Sequence, residues 1–119
     1  MKSIRFSYDA EGDILEATFA LGEVSQRTGI ELNDNIVVFT DQALSMVTGL
    51  TLLSYSRLLL LPQIALDGLF SLPEERTEKL FGLLQTAPLV NFLQVVDRAR
   101  LLCKVLNPKV QELVEIGPS

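Results

Sequence analysis

Three carboxylates, Asp9, Glu11 and Asp13, fall at alternate positions of the stretch YDAEGD. Alternating oxygens are what an EF-hand-like calcium loop supplies at its first ligand positions. Such a loop also needs glycine at its sixth position and a bidentate glutamate at its twelfth. Counted from Asp9, those positions hold Ile14 and Ala20. Asp9, Glu11 and Asp13 thus remain metal candidates by residue type, while the pattern fits a hairpin turn better. Asp at the first position of a type I turn accepts backbone N–H groups, and Gly at the fourth tolerates a left-handed backbone. Asp9-Ala10-Glu11-Gly12 has both, with Glu11 at the tip.

Other chemistry is scarce. The chain has no histidine, which removes His-based triads, His metal sites and His proton shuttles. It contains no GxGxxG or P-loop pattern. The pairs Asp9/Asp13 and Glu31/Asp34 have the residue types for acid–base work, but exposed loop carboxylates need a pocket to shift their pKa values. Asp97, Arg98 and Arg100 could meet an anion and read more simply as a solvated stripe. Cys103, the single cysteine, excludes an internal disulfide and suits a reducing compartment. Among apolar neighbours it reads as a small buried hydrophobe. No catalytic residue, cofactor site or cofactor is assigned.

The elements that must position these residues come from a chain of 119 residues, 48% hydrophobic and 21% charged, with a formal charge of −5. That composition suits one folded unit with apolar surface to spare. Residues 1–57 carry 4 basic and 8 acidic groups, and residues 58–119 carry 6 and 7. No basic cluster resembles a nucleic-acid footprint. The uncharged run worth testing as a membrane span, residues 81–96, is too short and contains Gln85, Pro88, Asn91 and Gln94. The N-terminus leads into alternating residues, not a signal-like apolar run, so a soluble cytoplasmic protein is expected.

Residues 1–57 alternate and turn like antiparallel strands. Ile4, Phe6 and Tyr8 share one face of a first strand, and Leu15, Ala17, Phe19 and Leu21 one face of a second, with Glu16 and Thr18 opposite. Further strands are expected over 27–32, 36–40 and 46–54, separated by Asn33-Asp34-Asn35 and by residues 41–45. Ile36-Val37-Val38-Phe39 is apolar on both faces, which predicts a sheet whose centre is covered twice.

The spaced residues Tyr8, Asp9, Glu11, Asp13 and Leu15, then Glu31, Leu32 and Asp34, then Val37, Val38, Phe39 and Asp41, then Val47, Gly49, Leu50, Leu52, Leu53, Ser56 and Arg57 carry a resemblance. Over roughly residues 4–58 the chain resembles the bacterial family of small β-meanders known as domain of unknown function 2283. Glu16 stands where that family usually has an aromatic, and Thr51 where it usually has glutamate. The resemblance implies a compact antiparallel sheet and no activity.

From residue 58 the texture turns helical. Leu58 to Leu61 read as a short exit stopped by Pro62, and residues 62–68 as a turn stopped by Gly68. Ser71 and Glu74 read as a capping box around Pro73, opening a helix with Leu80, Phe81, Leu83, Leu84 and Ala87 on its apolar side. Leu89, Phe92, Val96, Ala99, Cys103 and Leu106 follow at spacings of 3, 4, 3, 4 and 3, the seam of one long helix. A last helix is expected over 109–115.

The expected fold class is α+β: an N-terminal antiparallel β-meander of about five strands over 1–57, followed by three or four helices over 58–119 packed on the sheet or on a partner subunit. The expected function is non-catalytic, a homo-oligomeric interaction or assembly module, most simply a dimer. The helical seam Leu89, Phe92, Val96, Ala99, Cys103 and Leu106 is its expected interface, with a further protein partner and neither nucleic acid nor membrane. The alternative is a small-molecule or metal-binding protein, or an enzyme, using the acidic loop carboxylates near Glu16 and Thr18. A third reading is a regulatory protein that masks a basic partner.

Overall fold

A computed structural model describes residues 3–20, 28–87 and 89–107. The first half forms five strands: β1 (Ser3–Asp9), β2 (Ile14–Ala20), β3 (Thr28–Asn33), β4 (Ile36–Thr40) and β5 (Val47–Leu53). All pair antiparallel, in the order β1-β2-β5-β4-β3. Strands β3, β4 and β5 run as a meander, and β5 then seats itself beside β2.

The period-two pattern decides which way this sheet faces. Leu15, Ala17, Phe19, Ile30, Leu32, Ile36, Val38, Leu50 and Leu52 are all buried on one face. Among the described residues, no element supplies the expected second cover on the other face. There Glu16, Thr18, Gly29 and Glu31 are exposed, and Ile14, Val37, Phe39, Thr51 and Leu53 are half-buried. β4 is an inner strand, between β5 and β3, where neighbouring side chains on the sheet shield one another.

Each turn rests on an Asp or Asn that bonds its own backbone. Asp9 Oδ1 accepts the Glu11 N–H at 3.1 Å, and Asn33 Oδ1 accepts the Asn35 N–H at 2.7 Å. The Asp41 carboxylate accepts the Ser45 N–H at 2.8 Å, the Met46 N–H at 3.1 Å and the Ser45 hydroxyl. In the first turn the left-handed residue is Asp13, with φ 55°, rather than the expected Gly12. Thr48 sits where β5 shifts register against β4; it is buried, and its hydroxyl finds no hydrogen-bond partner among the described residues.

The second half departs from expectation. Among the described residues there are two α-helices, α1 (Tyr55–Leu58) and α2 (Glu74–Leu84), not three or four. A second, three-stranded sheet replaces the long helix: β6 (Ile64–Ala65), β7 (Leu93–Asp97) and β8 (Leu102–Val105), in the order β6-β8-β7. The 3-4 spacing of the seam is also compatible with two alternating strands. Leu93 is buried, Gln94 exposed and Val95 half-buried; Cys103 is buried, Lys104 exposed and Val105 buried. β-Branched valines favour that pleated surface. Asp97 Oδ1 accepts the Arg100 N–H at 3.1 Å and turns the chain where the helix was expected to continue. The helix expected over 109–115 lies outside the described residues.

Two local expectations also shift. Ser71 does not cap α2: its hydroxyl donates to the Gly68 carbonyl at 2.9 Å, and Pro73 occupies the cap position. Glu74 and Glu75 still lie in the first turn, where the helix dipole favours them. Gly68 does not stop a helix either. It lies inside a 3-10 turn (Asp67–Ser71) pressed against β3, where a Cβ would come within 2.1 Å of the Glu31 carbonyl oxygen.

Both halves contribute to one cluster of buried side chains. The sheet supplies Leu32, Ile36, Leu50 and Leu52, and the second half Leu66, Leu80, Phe81, Leu84, Phe92 and Leu93, each 1% exposed or less. The Phe19 and Phe92 rings meet at 6.0 Å between centroids and tie β2 to the start of β7.

Candidate functional site

The acidic turn is built from the β1–β2 hairpin and the start of α1. After β5, Ser54 takes a left-handed conformation, with φ 56°, and offers α1 no side-chain cap. Asp13 supplies one from across the sheet. Its carboxylate accepts the Ser56 N–H at 3.0 and 3.2 Å and the Ser56 hydroxyl at 2.7 Å. Its backbone carbonyl accepts the Tyr55 N–H at 2.9 Å. The Tyr8 hydroxyl donates to the same carboxylate at 2.6 Å, and the Tyr8 ring lies edge-on to Tyr55, 6.1 Å between centroids.

These bonds explain the electrostatics. The Tyr8 hydroxyl, then the Ser56 hydroxyl and N–H, with the Arg57 charge nearby, hold Asp13 below the usual carboxylate value. The hydrogen bond to Asp13 in turn raises Tyr8. Asp41 is lowered for the same kind of reason, first by the Ser45 hydroxyl. Burial raises Tyr55 and pushes the Cys103 thiol up to about 12. Each of these shifts has a structural cause in a turn, a cap or the core.

Both Asp13 oxygens and one Asp9 oxygen therefore already have donors, while Glu11 stands exposed at the tip. Among the described residues, no group of three or more Cys, Asp or Glu side chains is placed to hold a metal ion. Asp13 brings together the two ends of the first half, which residue spacing alone did not show. The signal was present in the quoted Tyr8, Asp13 and Ser56 positions, but their proximity needed β5 to lie beside β2.

A second candidate is a cleft of about 420 Å³ along the outer edge of β3. Its walls include Gly29, Glu31, Asp34, Asp67 and Arg76, brought together from β3, its following turn, the 3-10 turn and α2. Glu31 and Asp34, paired by sequence, both line it. Glu16 and Thr18 lie on the exposed sheet face instead.

The six residues of the expected seam separate. Leu89, Phe92 and Cys103 are buried within the chain's own core, Leu106 is half-buried, and Val96 and Ala99 are exposed. Val96 falls at the register shift between β7 and β8, and Ala99 in the turn after β7. Arg98 pairs with Glu78 of α2 and stacks over Phe81, 5.2 Å from the ring centroid. Asp97 closes its own turn, so the polar stripe of the expected helix is dispersed. No helix of the described residues is long and apolar enough to cross a membrane.

In comparisons with known proteins, no family model, no curated protein and no solved structure matches the chain.

Proposed function

We propose that the chain is a non-catalytic interaction module that associates with a second copy of itself through the exposed face of its five-stranded sheet. The observation that carries this reading is a diagonal apolar strip on that face: Ile14 and Leu53 paired across β2 and β5, then Val37 and Phe39 on β4 opposite Thr51 and Gly49, the four apolar side chains all half-buried. Exposed Glu16 and Glu31 flank this strip, the arrangement of an apolar centre with a charged rim. Asp13, Asp41 and Cys103, whose pKa values are shifted, serve a cap, a turn and the core. That favours an interaction role over acid–base catalysis.

Covering what remains exposed of four such side chains, at most about a third of each, on each of two copies contributes at most roughly 4–9 kcal/mol. Association costs about 4–15 kcal/mol. The expected dimer is therefore concentration-dependent rather than obligate. Exposed Val96 and Ala99 offer a second, smaller apolar contact. The resemblance to domain of unknown function 2283 is compatible with this role and adds no activity, and the buried lone Cys103 suits a cytoplasmic setting.

Sedimentation velocity from micromolar to millimolar concentration tests the proposal. The wild type should shift from monomer toward dimer, and Val37→Lys should abolish the shift while keeping the circular dichroism spectrum. A wild type that stays monomeric throughout would exclude it.

A further inference from the structure

The β3 cleft has a feature that self-association through the sheet face does not use. Parity along the ladder shows which backbone groups point into it. The Leu53 N–H bonds the Asn35 carbonyl at 2.8 Å, so alternate residues Asn35, Val37 and Phe39 direct their backbone groups toward β5. Val38 and Thr40 then direct theirs toward β3, to their partners Ile30 and Thr28. Gly29 and Glu31 are left with N–H and C=O groups facing away from β4, toward the outer edge. Gly68 agrees with this: it packs against the Glu31 carbonyl from that side.

Three backbone groups therefore border the cleft without a strand partner among the described residues: the Gly29 N–H, the Gly29 C=O and the Glu31 N–H. They are spaced two residues apart, the repeat of an extended chain. Gly29 is exposed and has no side chain to obstruct an incoming backbone. The 3-10 turn closes the ladder at Glu31, which sets where an added segment must end.

The cleft also has a sign. Glu31, Asp34 and Asp67 line it against a single cation, Arg76, which makes no ion pair within the described residues. Sheet edges left open are templates for strand addition, and the side chains around them select the partner.

We infer that the outer edge of β3 binds a short, extended, basic peptide segment of another protein by strand addition. One residue of the segment exchanges both backbone bonds with Gly29, and flanking Lys or Arg side chains meet Glu31, Asp34 and Asp67. Arg76 is placed to donate to a backbone carbonyl of the segment. The site is the outer backbone edge of β3, which borders the sheet face and shares Glu31 with its rim.

Heteronuclear NMR titration of the full chain with end-capped Lys-Val-Lys-Val-Lys tests this. The expected result is saturable shifts centred on the Gly29 and Glu31 amides. The same peptide methylated on every backbone nitrogen should bind at least about tenfold more weakly, since it cannot donate to the edge. The combined Glu31→Gln and Asp34→Asn variant should weaken the unmethylated peptide by about tenfold or more. Absence of saturable binding would overturn the proposal. So would equal affinity for the methylated peptide, which would reveal charge attraction without strand pairing, or shifts centred elsewhere. Movement of the same two amides on concentrating the Val37→Lys variant alone, which cannot pair through the sheet face, would assign the edge to a second copy and overturn it as well.

Discussion

Two hairpins of this molecule, β1–β2 and β7–β8, are closed in the same way. In each, an Asp ends the first strand, four residues turn the chain, and the last of the four is left-handed: Asp9 to Asp13 with φ 55°, and Asp97 to Leu101 with φ 55°. Each leading Asp bonds a backbone N–H within its own turn. Their surroundings differ. Asp13 faces the start of α1 and binds Tyr8 and Ser56, so the first turn holds an element distant in sequence. Leu101 packs half-buried against the core, while the neighbouring Arg98 reaches Glu78 at the surface. One turn geometry thus serves a polar network in one half and apolar packing in the other, and the identity of the left-handed residue decides which.

The ring contact that ties the two halves gives the largest expected effect. Phe92→Ala removes the partner of Phe19 and a side chain only 1% exposed, with an expected loss of about 3–5 kcal/mol in chemical denaturation. A loss below about 1 kcal/mol would mean that the two sheets are not packed together through this residue. A substitution outside both hairpins calibrates the scale: Thr48→Val removes a buried hydroxyl that has no partner among the described residues and should raise stability by about 1 kcal/mol.

The turns themselves are compared by Asp13→Ala and Asp97→Ala. The first removes a helix cap and the bonds to Tyr8 and Ser56, and the second a single turn bond, so Asp13→Ala should lower the melting temperature more. Equal effects would show that the polar network adds nothing to the turn.

Acid should discriminate in the same way. Asp13 and Asp41 are lowered from 3.8, so the folded chain binds fewer protons than the unfolded one. Their stabilisation is complete above that value and is lost as pH falls through the folded pKa values. Asp13→Asn should flatten the acid limb of a stability–pH curve measured by denaturant titration, and an acid limb as steep as the wild type's would count against the Asp13 network. The smallest effect belongs to Arg98 and Glu78, both about half exposed. A double-mutant cycle should give a coupling below about 1 kcal/mol.

How far residue patterns carried differs between the same two regions. The first hairpin was legible because Asp9 and Gly12 punctuate strict alternation, and the strand expected over 36–40 matches β4 residue for residue. The second was read as a helix because Asp97-Arg98-Ala99-Arg100 contains no glycine or proline to announce a turn, and its apolar spacing satisfies both periods. Four-residue turns also tolerate ordinary side chains once packing holds the left-handed residue, as it does Leu101. For the sites, Asp9, Glu11 and Asp13 were visible by residue type, but their partners were not. The β3 cleft was invisible because it joins Glu31 and Asp34 to Asp67 and Arg76 across a crossover that no local pattern encodes.

By itself, the sequence determined where the first five strands fall, the turns at Asp9, Asn33 and Asp41, and the absence of imidazole chemistry. These follow from side-chain period, backbone preference and inventory, which are local properties. Tertiary structure alone decided that β5 lies beside β2, that residues 93–105 pair as strands, and that Asp13 caps α1. Each of these depends on which apolar face finds cover first, and burial against a distant segment outweighs the small local preferences that separate a helix from a strand.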